Sequence, residues 1–246
     1  TSISPTEAEI VGYSFAWTPG VAYYLPVRAL EGEPRLDPAE TLAALKPFFE
    51  NSSIGKVGQN LKYDMIVLRQ CGVRVAGVAF DTMLASYLLD AGERNHNLDE
   101  LALRYLDHAN IKISALIGTG KQQKRMDEVS VAAVGPYAAE DADVPLRLLP
   151  MLVEKLRASN LEDLLNNVEL PLIDVLVELE CNGIRVDVDR LHELSAEYGH
   201  RLDTLEREIY ALAGRPFNIG SPKQLQQVLF VEQGLPTLKK IKSGAS

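Results

Sequence analysis

At 246 residues, 46% hydrophobic and 24% charged, the chain has the composition of an ordinary globular protein with room for one or two domains. Cys71 and Cys181 stand far apart, which excludes a disulfide framework or a zinc site, and no apolar run nears the ~18 residues of a membrane span. The net charge of −9 argues against simple nucleic-acid coating, yet residues 215–246 hold Arg215, Lys223, Lys239, Lys240 and Lys242 against Glu232 alone.

Along the chain, Glu9 to Trp17 and Val21 to Val27 read as strands joined by the turn residues Thr18-Pro19-Gly20. Pro38 sits where a helix starts, with Leu42, Leu45, Phe48 and Phe49 on its apolar face. Lys56 to Gly58 makes a short strand leading into a helix capped by Asn60 and stopped by Gly72. Val78 to Phe80 repeats that plan, with Asp81 as the cap of the next helix. From Asn97 onward the pattern is helical, broken by the glycine-bearing, basic stretch Gly118-Thr119-Gly120-Lys121. That stretch reads as an exposed connector or, less specifically, a phosphate-binding loop. Pro145 predicts a kink or a break in the helix around it. Leu161 to Leu179 keep a period near 3.6 up to Asn182-Gly183, and a second long helix capped by Asp187 runs to Gly214. The composition change at Ser159-Asn160 predicts a first domain over residues 1–159 and a second over 160–246.

Two words carry the chemistry: Gly58-Gln59-Asn60-Leu61-Lys62-Tyr63-Asp64 and Tyr137-Ala138-Ala139-Glu140-Asp141-Ala142-Asp143. Each sets a carboxylate on a helix, and Tyr137 stands one turn before Asp141, on the same face. Singly, Asp64 reads as an acid favourable to a helix dipole, and Glu140, Asp141 and Asp143 read as a solvated face. Together, carboxylates from distant elements are what a two-metal phosphodiesterase needs to hold its cations.

These words resemble the second and third motifs of the proofreading 3′→5′ exonuclease domain of the bacterial family A DNA polymerases. The resemblance extends over the whole chain, through Ile10 to Phe15, Pro19 to Val27, Phe80 to Leu84 and Asn97 to Ala102. Asn182 to Asp187 and Phe217 to Leu225 resemble the start of the polymerase domain. It implies an α/β, RNase H-like exonuclease domain, a mixed sheet flanked by helices, followed by mostly helical polymerase thumb. It implies Asp64 and Asp141 as metal ligands, Tyr137 as the residue orienting the attacking water, and Mg²⁺ (or Mn²⁺ or Zn²⁺) as the cofactor. Gln59, Asn60 and Tyr63 match positions around the DNA strand end. Ile3 and Ile113 match apolar positions packing on terminal bases, and Lys121 is the candidate phosphate contact. The implied partners are a single-stranded DNA 3′ end at the exonuclease site and a primer–template duplex at the thumb.

One departure matters. The family's first strand carries an Asp-x-Glu pair, and no such pair precedes the Ile10 strand. Glu7-Ala8-Glu9 has the spacing but falls in the loop entering the second strand of the pattern. The expectation is therefore a piece of a longer cytoplasmic, monomeric enzyme, with its first strand missing, its two-metal site incomplete and the piece itself a poor nuclease. The alternatives are an RNase D-like RNA 3′ exonuclease and a catalytically silent exonuclease-like scaffold.

Overall fold

Turn and cap chemistry set the first elements. Gly20, at φ 83°, supplies the left-handed step between strand β1 (Gly12–Thr18) and strand β2 (Val21–Pro26), which pair antiparallel. Asp37 caps helix α1 (Pro38–Phe49), its carboxylate accepting from Ala39 and Glu40 while Pro38 fills the first helical position. Strand β3 (Lys56–Gly58) leads into helix α2 (Leu61–Gln70), and strand β4 (Val78–Asp81) leads into helix α3 (Thr82–Leu89). Strands β3 and β4 pair in parallel. The computed structural model describes residues 4–236, so Ile3 lies outside the described residues.

The expected mixed sheet is thus two separate pieces, an antiparallel hairpin and a parallel pair. Helices α4 (Leu98–Leu106), α5 (Ile113–Ile117) and α6 (Val131–Ala158) follow, and α6 packs against the hairpin and against β3. Val144, Leu148, Leu152 and Leu156 form a buried stripe on α6, at helical spacing. They meet Ile66, Phe80, Leu101 and Leu165 in the main core, where each fully buried leucine contributes about 1.5–3 kcal/mol. A smaller cluster of Tyr13, Val27, Phe49, Leu68 and Val73 seals the hairpin onto α1 and α2.

Pro145 does not break α6, which runs unbroken through Pro136, Pro145 and Pro150. Burial of Val144, Leu148 and Leu152 in the core offsets the missing backbone bond, since a proline removes one donor but the core contacts of its neighbours remain.

The described residues form two compact units that divide between Gly183 and Ile184. The reason is packing. Helix α7 (Glu162–Leu164), a π-turn over Leu165–Glu169 and helix α8 (Leu170–Asn182) add Leu165, Leu170, Ile173 and Val177 to the first unit's core. Glu180 on α8 pairs with Lys62, and Glu178 meets Arg69 at 2.8 Å. In the second unit, Asp187 caps helix α9 (Val188–Ala213) and Gly214 ends it at φ 74°. Ser221 caps helix α10 (Pro222–Gln226), and Phe217 is buried beside Tyr210 with ring centroids 6.0 Å apart. Among the described residues no helix is long and apolar enough to cross a membrane.

Candidate functional site

A cleft of about 720 Å³ opens in the first unit between the hairpin and the parallel pair. One rim is β1 from Gly12 to Ala16, the other is Gly55 to Gln59, and α2 and α6 supply the floor. Asp64, Tyr137 and Asp141 all line it, so two words 73 positions apart in sequence meet in one place.

Helix α6 brings its pair by simple spacing. Tyr137 and Asp141 continue the line of the buried stripe toward the N-terminal end, where apolar packing gives way to the cleft. The Tyr137 hydroxyl lies close enough to the Asp141 carboxylate to favour its charged form as a donor. The neighbouring acids have other partners. Glu140 accepts from the Ile111 N–H at 2.6 Å and bonds His108 Nε2 at 2.8 Å, fixing the loop before α5. Asp143 accepts from the Gly20 N–H at 2.6 Å and so ties the hairpin turn to α6. Pro145, also in the cleft wall, has no N–H to donate to the Asp141 carbonyl one turn earlier.

Helix α2 brings Asp64 differently. Asn60 stands at its start in the left-handed region, φ 57°, and its side chain makes no capping bond, contrary to the expected Asn60 cap. A left-handed backbone departs from the extended conformation in which a cap side chain reaches the N–H groups of the first turn. The buried carboxylate of Asp81 does the work instead, accepting from the Asn60 and Leu61 N–H groups at 3.2 and 2.7 Å.

The electrostatics of the site are those of acids held close with too little water. Asp64 is exposed to the open cleft, with protein packed densely around the cleft walls. Loss of hydration, then the charges of Asp81 and Asp141, push its carboxyl up to about 7, and water in the open cleft opposes part of that push. Burial pushes Asp141 up to about 6, with the Tyr137 hydrogen bond opposing and Glu140 and Asp99 adding to the rise. Burial and the Asp141 charge hold the Tyr137 hydroxyl above its ordinary range, so it stays a neutral donor. Glu9 takes no part in this pair: Arg125 and Arg28 hold its carboxyl low, at 3.0 and 2.6 Å.

The other expected site residues divide. Gln59 and Tyr63 line the cleft, but the Gln59 amide is engaged, donating to the His96 carbonyl at 2.7 Å and accepting from Thr82. Ile113 begins α5, 48% exposed, and Lys121 sits in an exposed turn; neither lines the cleft. Sequence reasoning missed Asp99, which lines the cleft and bonds Lys112 at 2.6 Å, and the second role of Asp81. Asp99 carried the same signal as Asp64, an acid in a helix's first turn.

Among the described residues no group of three or more His, Cys, Asp or Glu forms a metal cage. Asp64 and Asp141 nevertheless suit a hard divalent cation. They are oxygen donors, and each is destabilised as an anion by its surroundings.

An α/β unit with two carboxylates and a tyrosine in an inter-strand cleft is the arrangement of a 3′-5′ exonuclease, and residues 1–157 match the family described by that name. Residues 188–246 match DNA polymerase family A. The chain belongs to the 3′-5′ exonuclease family of the family A DNA polymerases. It is 45% identical over 249 residues to DNA polymerase I of Pseudomonas aeruginosa, covering 99% of this chain and 27% of that protein. It is 41% identical to DNA polymerase I of Chloroflexus aurantiacus, again covering 99% of this chain and 26% of the relative. The chain therefore spans about a quarter of the length of these curated relatives. Among solved structures it is similar to the POL domain of Pol1 from M. smegmatis in complex with DNA primer–template and dNTP. That likeness has a TM-score of 0.65 and 30% identity, over 92% of this chain and 36% of the other.

Proposed function

We propose that this chain acts within a monomeric, cytoplasmic DNA polymerase I as the 3′→5′ exonuclease that trims mispaired DNA ends. The observation that carries this reading is the meeting of Asp64, Tyr137 and Asp141 in one cleft. Asp64 and Asp141 would hold Mg²⁺, or Mn²⁺ or Zn²⁺ in its place. When bound, such cations would activate water and stabilise the departing 3′ oxygen.

The chain's own residues do the rest. Tyr137 keeps its proton and turns its O–H toward Asp141, which leaves lone pairs on the phenol oxygen to accept from a water and aim it. Without cations, two acids in the floor repel an incoming phosphate, so the site admits its substrate only when charge-compensated. Gln59 and Tyr63 stand where the strand end would enter, and Ile113 and Lys121 would meet DNA farther along. In the second unit, Lys223 on α10 would contact the phosphates of a primer–template duplex.

The cleft also supports a reading of its rims. Among the described residues β1 pairs only with β2, and β3 only with β4, so two strand edges border the cleft. An extended segment carrying Asp-x-Glu would pair with both and raise the carboxylates from two to four, against the +4 of two divalent ions. A version extended at its N-terminus by such a strand should digest single-stranded DNA from the 3′ end with Mg²⁺ and unfold cooperatively; the chain alone should be a poor nuclease. Preference for RNA over DNA strands, or equal digestion by both versions, would overturn this reading.

A further inference from the structure

The least expected contact in the first unit is the double use of one buried carboxylate. Asp81 ends β4 and is 2% exposed. Its Oδ1 accepts from the N–H groups of Met83 at 2.9 Å and Leu84 at 3.2 Å, capping its own helix α3. The same atom also accepts from Asn60, and Oδ2 accepts from Leu61 at 2.7 Å, so one side chain serves the starts of two helices. Next to it, the Thr82 hydroxyl reaches the Gly58 carbonyl at 3.2 Å and the Gln59 side chain. The turn between β3 and α2 is thus tied at several points to the turn between β4 and α3. Because Asn60 offers no cap of its own, the start of α2 depends on this distant acid.

The chemistry needs a carboxylate. Four N–H groups at two positive helix ends call for two acceptor oxygens and a negative charge. Serine can cap its own helix but has no second oxygen to reach α2, and asparagine must turn its NH₂ toward one of the two helices.

We propose that Asp81 is a positioning residue of the cleft: through its second oxygen it sets the start of α2, and thereby the place of Asp64 opposite Asp141. The proposal rests on the reading of Asp64 and Asp141 as a cation site. Groups bonded directly to a metal ligand typically change metal affinity by about 10- to 100-fold when removed, and Asp81, which acts through the start of α2, belongs at the lower end.

Two measurements on the whole chain test it: amide hydrogen exchange residue by residue, and Mn²⁺ binding by electron paramagnetic resonance. In Asp81→Ser, exchange at Met83 and Leu84 should stay near parental while Leu61, which Oδ2 alone holds, exchanges at least about tenfold faster, and Mn²⁺ should bind about tenfold more weakly. A uniform rise in exchange across α2 and α3 would reduce Asp81 to a general stabiliser and overturn the proposal, as would parental exchange at Leu61. If Asp81→Ser does not fold, Asp81→Asn serves, with release of one helix start and retention of the other as the expected result. Asp64→Ala separates the two readings. If it leaves Mn²⁺ binding unchanged the cation site is wrong, while exchange at Leu61 still decides the clamp.

Discussion

The two walls of the cleft reach the same end by opposite means. On α6, Tyr137 and Asp141 are neighbours on one helical face, and the hydrogen bond between them is local. On α2, Asp64 depends on a carboxylate 17 positions later, and the residue that formally begins the helix contributes only its backbone. A local arrangement tolerates change elsewhere in the fold. A clamp between two turns fails whenever either turn moves. The α6 wall should therefore respond to substitution through chemistry alone, and the α2 wall through both chemistry and geometry.

The strongest way to break this comparison is to remove each wall's acid. In a chain of the relatives' length, Asp64→Ala or Asp141→Ala should each cut 3′-end digestion by about a thousandfold or more while leaving polymerisation largely intact. Parental digestion by either variant would detach that wall from the chemistry.

Tyr137→Phe sharpens the α6 side. It removes only a hydroxyl, so digestion should fall by about tens of fold. Divalent-ion binding should survive, because Asp141 remains. Loss of Mn²⁺ binding equal to that of Asp141→Ala would make Tyr137 a structural support.

The smallest effect is on stability. Asp64 titrates near 7 in the fold against an ordinary value of 3.8, so the folded chain binds more protons than the unfolded chain between those pH values. That contribution to stability is present at low pH and is lost as pH rises through about 7. Asp64→Asn should therefore gain on the parent in melting temperature as pH rises from 4 through 7, exceeding it by a few degrees at pH 8 without divalent ions. Saturating Mg²⁺ should close the gap. A parent more stable than Asp64→Asn at pH 8 without metal would contradict the crowding of acids in the cleft.

Much of this was legible in the sequence, for local reasons. Pro38, Gly20, Asp187 and Gly214 act within a few residues of themselves, and each stands where its turn or cap chemistry put it. The Tyr137 and Asp141 pairing follows from helical spacing alone. What depended on distance was hidden. Asp81 showed itself as the cap of α3 because Met83 and Leu84 follow it directly; its hold on α2 is invisible until β3 and β4 pair. The same holds for the packing of α8. Leu161 to Leu179 show only their own apolar period in the sequence, and that Leu165, Leu170 and Ile173 share a core with α2 and α6 shows only in the fold. Pro145 marks a possible break by local rule alone, and α6 continues past it with Val144, Leu148 and Leu152 buried around it.

The central claim is that the two walls form one cation site, and a double-mutant cycle in Mn²⁺ binding tests it most directly. If Asp64 and Asp141 hold the same ions, Asp64→Ala, Asp141→Ala and the double variant should all lose binding to a similar extent, with a large interaction energy between the positions. Single losses that simply add in the double variant would mean two independent sites, and would contradict the account.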